Sequence, residues 1–183
     1  MERAYIAVGS NLGDRQANLD SARRRLTAEP GVLWESASPL YETPPVGPGT
    51  QAEYLNGVWC LGYARRPEVL LRALQGVETA MGRLPVHERE PWGPRVIDLD
   101  LLTLGDLRLD IPALTLPHPR AAQRWFVLRP WADLAPDFSP AGWSRTVAQA
   151  LAEVEARGDA ELGGLPGRAW TPDPAVAAAG APS

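Results

Sequence analysis

Apolar positions along this chain follow two rhythms, one of alternate residues and one of every third or fourth. Ala4 to Val8 is a short apolar run closed by Gly9-Ser10-Asn11, which predicts a buried strand, and Arg15 to Thr27 then carries Leu19, Ala22 and Leu26 at helical spacing. Val32 to Tyr41 is strand-like on both sides of a polar patch. It stops at Thr43-Pro44-Pro45-Val46-Gly47-Pro48-Gly49, where paired prolines remove backbone donors and predict a stiff loop. Tyr54 to Tyr63 alternates as a strand, and Pro67 to Met81 follows as a helix with Leu70, Leu74, Val77 and Met81 on one stripe.

A polar loop from Gly82 to Pro94 leads into Val96 to Leu104, the strongest strand signal in the chain. Gly105-Asp106 supplies a turn, Leu107 to Leu109 a short return strand, and Leu116-Pro117-His118-Pro119 a corner. Trp125 to Leu134 reads as a buried helix and Arg145 to Arg157 as the last one. Strands interleaved with helices, some as hairpin neighbours, predict an α+β layer sandwich with a mainly antiparallel sheet. The length of 183 residues suits one domain, over 1–158. The stretch 159–183, rich in Gly, Pro and Ala, has little to bury and is expected to be a disordered tail.

Composition narrows the function classes. A net charge of −4 gives no footprint for nucleic acid, and no apolar run is long enough to cross a bilayer, so the expected setting is the cytoplasm without a membrane or nucleic-acid partner. The chain has no lysine, which leaves arginine as the cationic tool for phosphate. Its single cysteine, Cys60, lies in an apolar run and reads as a core residue, which excludes an internal disulfide.

The chemistry-bearing pattern is Ile97-Asp98-Leu99-Asp100-Leu101. A strand's period of two puts both carboxylates on one face and the aliphatic residues on the other. Like charges so placed either face solvent or share a cation, and hard oxygen ligands completed by phosphate are a magnesium arrangement. Arg83 and Arg95 flank this strand in sequence, with Trp92 between them, and planar guanidinium forks suit phosphate oxygens. Tyr54 and Asn56 share a strand face and offer a flat heterocycle an aromatic plate and an amide that donates and accepts. His118, framed by prolines, serves either the corner's backbone or a ligand; His87 lies in the 82–94 loop.

In order along the chain stand Tyr5-Ile6-Ala7-Val8-Gly9-Ser10-Asn11-Leu12-Gly13-Asp14, Tyr41-Glu42-Thr43-Pro44-Pro45, Tyr54-Leu55-Asn56, Trp92-Gly93-Pro94-Arg95 with Asp98-Leu99-Asp100, and Pro117-His118-Pro119-Arg120. Together they closely resemble the 6-hydroxymethyl-7,8-dihydropterin pyrophosphokinase family, from about Ala4 to Pro136. The resemblance implies a ferredoxin-like three-layer α-β-α sandwich that transfers pyrophosphate from ATP to the reduced pterin in folate biosynthesis, releasing AMP, with two Mg²⁺ ions. It implies that Asp98 and Asp100 hold the metal and that Arg83 and Arg95 act on the triphosphate. Gln75, Glu78, Trp92, Arg95, Leu101, Thr115, His118 and Arg124 are the expected nucleotide contacts. Thr43, Pro45, Val46, Tyr54, Asn56, Trp92 and Phe126 are the expected pterin contacts, and the expected state is a monomer.

Two departures from the family pattern stand out. The 84–91 loop is longer, with Pro91 where an arginine is common, so Arg89 is the expected lid arginine; Ala113 replaces a basic residue. Nucleotidyltransferases also pair aspartates on a strand, but their glycine-serine turn lies shortly before them, whereas Gly9 and Asp98 are almost half the chain apart. A pterin- or nucleotide-binding module without turnover is the alternative from another class.

Overall fold

Two of the helices start at side-chain caps, and a third starts at a proline. Asp14 accepts the Ala17 N–H at 3.0 Å ahead of α1 (Arg15–Thr27), and Pro67 occupies the first turn of α2 (Pro67–Ala80), where its missing N–H costs nothing. Thr146 and Gln149 form a reciprocal capping box before α4 (Val147–Arg157), which ends at Gly158 with a left-handed φ of 63°. The remaining helix is α3 (Trp125–Leu134). This computed structural model describes residues 1–46, 51–84, 93–158 and 168–169.

The strands are β1 (Glu2–Ser10), β2 (Val32–Ala37), β3 (Tyr41–Thr43), β4 (Tyr54–Tyr63), β5 (Asp98–Leu104), β6 (Leu109–Ile111), β7 (Leu114–Leu116) and β8 (Arg168–Ala169). The main sheet runs β5-β1-β4-β3-β8, with β2 also on β4, and every pairing is antiparallel. The run expected as one strand from Val32 to Tyr41 is two. It breaks at Ser38, whose N–H donates to Val58 O while its Oγ accepts the Val58 N–H, both at 2.9 Å, so the side chain mends the ladder. β2 then covers the second half of β4, and β3 covers the first. The return strand expected over Leu107 to Leu109 lies later, as the β6–β7 hairpin.

Alternation along β1 and β4 divides the core. Ile6, Leu61, Leu70 and Leu74 pack on the face covered by α1 and α2, while Tyr5, Val58, Leu128 and Trp131 pack on the face covered by α3 and α4. Full burial of one such side chain contributes about 1.5–3 kcal/mol, so each face anchors its helices independently. The result is the α+β layer sandwich with a mainly antiparallel sheet expected from the element order, in the three-layer α-β-α form that the family resemblance implied. Pairing of β1 with β5 slips between Tyr5 and Ile6, which leaves Leu102 as a bulge; Leu101 stays in the α1/α2 core and Leu102 joins the α3/α4 core.

No described helix is long and apolar enough to cross a membrane. Within the stretch expected as tail, Arg168–Ala169 form β8 against Glu42 and Tyr41 of β3.

Candidate active site

Strand register places the chemistry. Gly9 on β1 lies between Asp98 of β5 and Asn56 of β4, and Ala7 lies between Asp100 and Val58. All six point to the α3/α4 side, so at this end of the sheet two carboxylates and an asparagine face each other over two of the smallest side chains. Two inter-strand spacings separate the carboxylate strand from the asparagine strand, about 10 Å. The missing side-chain bulk of Ala7 and Gly9 opens a cavity of about 600 Å³, walled by Tyr54, Asn56, Asp98, Asp100 and Phe126.

The wall built on β3 and β4 is tied together by hydrogen bonds. Asn56 is buried, and its Nδ2 donates to Thr43 Oγ1 at 2.7 Å across β3 and β4. That bond turns the amide oxygen over Gly9, where an added Cβ would sit 2.6 Å from Oδ1. Beside it, burial raises the Tyr54 hydroxyl above its ordinary pKa, so the ring stays neutral. Asn11 joins this wall to the next. Its Nδ2 donates to Gln51 Oε1 at 3.2 Å, and its Oδ1 accepts the Arg95 N–H at 2.6 Å.

The opposite wall is strongly ionic. Arg95 Nη1 donates to Asp98 Oδ2 at 2.6 Å, and Arg83 Nη1 lies 2.8 Å from Asp98 Oδ1 without an aligned hydrogen bond. Arg83 also pairs with Glu78, whose Oε1 accepts the Leu99 N–H at 2.8 Å and so stitches α2 to the carboxylate strand. Burial pushes the Glu78 carboxyl up to about 7, against the pull of Arg83. Burial, then the neighbouring Asp98 charge, pushes Asp100 up to about 6. Among the described residues no side chain hydrogen-bonds or ion-pairs with Asp100.

Arg120 and Arg124 border the same cavity. Burial and then Arg120 lower the Arg124 pKa, and its guanidinium lies 5.5 Å from the Phe126 ring centre. Burial, with Arg124 and Arg120 adding to it, pushes His118 down to about 4, so the imidazole is neutral near pH 7. Four guanidiniums thus share the cavity with two carboxylates, an excess of positive charge that fits a polyphosphate. Among the described residues no cluster of three or more His, Cys, Asp or Glu gathers. Asp98 and Asp100 are the carboxylate pair on this wall that could hold a metal, and two carboxylates completed by phosphate oxygens are a donor set that suits Mg²⁺.

Of the residues singled out from sequence, Thr43, Val46, Tyr54, Asn56, Arg83, Arg95, Asp98, Asp100, Arg124 and Phe126 all border this cavity. Pro45 does not, although its neighbour Pro44 does. Gln75 is exposed on α2, Leu101 points into the α1/α2 core, and Thr115 Oγ1 donates to Asp110 Oδ1 at 3.1 Å in the β6–β7 hairpin. Glu78 and His118 stand behind the wall rather than on it. Trp92 and Arg89 lie outside the described residues. Sequence reasoning missed Ala7, Gly9, Arg120 and Gln123. The two small residues carried a signal, since they alternate with large ones along β1; Arg120 was visible within Pro117-His118-Pro119-Arg120 but had no role there.

Known proteins resemble this chain in sequence and in fold. The sequence model of a family described as 7,8-dihydro-6-hydroxymethylpterin-pyrophosphokinase (HPPK) matches residues 5–136. A 2-amino-4-hydroxy-6-hydroxymethyldihydropteridine pyrophosphokinase of Methylorubrum extorquens is 40% identical over 86% of this chain and 97% of its own. Its counterpart in Pseudomonas aeruginosa is 42% identical over 75% of this chain and 83% of its own. A crystal structure of Plasmodium falciparum HPPK-DHPS shares the fold with a TM-score of 0.66 at 12% identity, over 86% of this chain and 46% of that one. With the family match covering most of the described sandwich and the whole cavity, the chain belongs to the 7,8-dihydro-6-hydroxymethylpterin-pyrophosphokinase family.

Proposed function

We propose that this cavity transfers the terminal pyrophosphoryl group of ATP to the hydroxymethyl oxygen of 6-hydroxymethyl-7,8-dihydropterin, giving the pterin diphosphate and AMP, a step in folate biosynthesis. One observation carries the reading: the Asp98–Asp100 face looks across Gly9 and Ala7 at Tyr54 and Asn56, with four guanidiniums bordering the space between them. The pterin lies between Tyr54 and Phe126, and the Asn56 amide reads its polar edge. Arg83, Arg95 and Arg124 take the phosphate oxygens.

The new bond joins the hydroxymethyl oxygen to the β-phosphorus. The bond that breaks joins that phosphorus to the bridging oxygen, which leaves on AMP, and the hydroxyl proton passes to water. Asp98 and Asp100, together with the phosphates, would hold two Mg²⁺ ions, which would supply charge neutralisation and polarisation at the triphosphate. The chain's own work is to hold both substrates in line and to meet the growing charge with fixed guanidiniums.

The test is to incubate the protein with ATP, magnesium and the reduced pterin, and to separate the nucleotides. AMP in equal amount to pterin diphosphate is the expected result, abolished by a chelator and restored by excess Mg²⁺. Release of ADP or inorganic pyrophosphate instead would sink the assignment.

A further inference from the structure

Behind the pterin wall lies a second group of charges to which the reaction assigns no part. Glu42, on β3, faces away from the cavity and is the residue before Thr43. Its Oε1 lies 2.6 Å from Arg15 Nη2 at the start of α1, and its Oε2 lies 2.6 Å from Arg168 Nη2 on β8. Arg168 also donates to Glu53 Oε2 at 3.0 Å, and Arg15 Nη1 donates to the Glu53 carbonyl at 2.9 Å. Glu53 is the residue before Tyr54. Four residues therefore close a ring that joins the two stems of the β3–β4 loop, one position from Thr43 on one stem and one position from Tyr54 on the other.

The ring is unequal in burial and origin. Glu42 is 13% exposed at its side chain, whereas Arg168 is 67% exposed. Burial works to raise the Glu42 carboxyl, but Arg15 and then Arg168 outweigh it and hold it below its ordinary range. Arg168 stands directly opposite Glu42 in the β3–β8 ladder, the position where opposite charges help a strand pair most. It also lies beyond residues 5–136, the span that the family model matches.

We propose that Arg168 is a positioning residue for the pterin subsite: through Glu42 and Glu53 it fixes the spacing of the loop stems, and with it the separation of Thr43 and Tyr54. The inference rests on the reading of the cavity as a pterin pyrophosphokinase site. Arg168 touches no substrate. Its effect falls on pterin affinity and leaves the nucleotide half, built on β5 with Arg83, Arg95 and Arg124, unchanged.

Steady-state kinetics on the full chain decides it, comparing wild type with Arg168→Ala, Arg168→Lys and Glu53→Gln. Arg168→Ala is expected to raise KM for the reduced pterin about 3- to 10-fold, the scale of losing a small ion-pair network. KM for ATP and kcat stay within twofold. Arg168→Lys restores most of the loss because a single ammonium still reaches the two carboxylates, and Glu53→Gln gives an intermediate value. Amide hydrogen exchange is expected to rise in Arg168→Ala over residues 41–46 and 51–56 and to stay unchanged over 98–104.

Equal rises in both KM values, or an unchanged pterin KM with unchanged exchange, would overturn the proposal while leaving the wild-type AMP assay intact. Absence of AMP from the wild type would instead overturn the function reading, and this proposal with it.

Discussion

The void over β1 makes a sharp prediction, because one methyl group placed at Gly9 has nowhere to go. The residue is buried, and a Cβ there would meet Asn56 Oδ1 at 2.6 Å and Tyr54 Cδ1 at 3.6 Å. Relaxed C···O contacts are about 3.3 Å or longer, so in Gly9→Ala the Asn56 amide must retreat by roughly 0.7 Å. The retreat strains its 2.7 Å bond to Thr43. Overpacking costs about 1–3 kcal/mol and a weakened buried hydrogen bond about 0.5–1.5 kcal/mol, against about 0.8 kcal/mol returned by the buried methyl. The net loss is about 1–3 kcal/mol, or a fall in Tm of about 3–10 °C for a domain this size. Because the displaced amide is the group proposed to read the pterin edge, KM for the pterin is expected to rise about tenfold, with KM for ATP unchanged. Gly76→Ala is the matched control. Gly76 lies exposed inside α2 with nothing within 4 Å of an added Cβ, so the same methyl should stabilise by about 0.5–1 kcal/mol. Differential scanning calorimetry and steady-state kinetics on the pair are the assays. A Gly9→Ala protein with wild-type Tm and wild-type pterin KM would show that the floor of the cavity does not need to be bare.

Two further changes test the ionic wall. Asp100→Asn should lower the rate of AMP release by about 10³-fold or more through loss of one of the two carboxylates proposed to hold the metal. It should also stabilise the fold above pH 6. The folded pKa is raised from 3.8 to about 6, so the wild-type carboxylate carries its full penalty above that value, and the advantage of the variant should vanish below about pH 4; urea midpoints at pH 8 and pH 3.5 read the difference. For His118, the folded pKa is depressed from 6.5 to about 4, so the unfolded chain binds the extra proton in that window and stability falls as pH drops through it. His118→Gln should remove about 2 kcal/mol of this acid sensitivity, measured as the wild-type minus variant difference between pH 7 and pH 4.5. A difference that stays flat with pH would contradict a buried neutral imidazole.

How far the sequence reaches is clearest at β5 and β1. Asp98 and Asp100 announce their common face because alternation is a local property, and their chemistry names itself. The same alternation in β1 hides Ala7 and Gly9, since a binding floor made by missing atoms has no chemical signature until register sets it between two polar strands. Tyr54 and Asn56 were legible as a pair. Their fixed separation from Thr43 was not, because it comes from the β3–β4 ladder across a proline-rich loop. The β2–β3 break was equally hidden: Ser38 mends the ladder with its side chain, and nothing in a strand propensity marks that. Composition described 159–183 as having little to bury, and it is silent about Arg168, whose partners are more than a hundred residues away.

Asp98 is already neutralised from both sides before any ligand arrives, by Arg83 and Arg95 at 2.8 and 2.6 Å. A bare dication would meet two tethered positive charges already competing for the same oxygens, whereas a dication that arrives wrapped in polyphosphate brings the guanidiniums replacement anions. On the proposed function the site would work as a partner exchange, in which the arginines would release the acid as the phosphates arrive. Titration calorimetry with magnesium alone should be nearly silent at millimolar concentration and become strong once nucleotide is present; a tight magnesium isotherm without nucleotide would contradict the exchange.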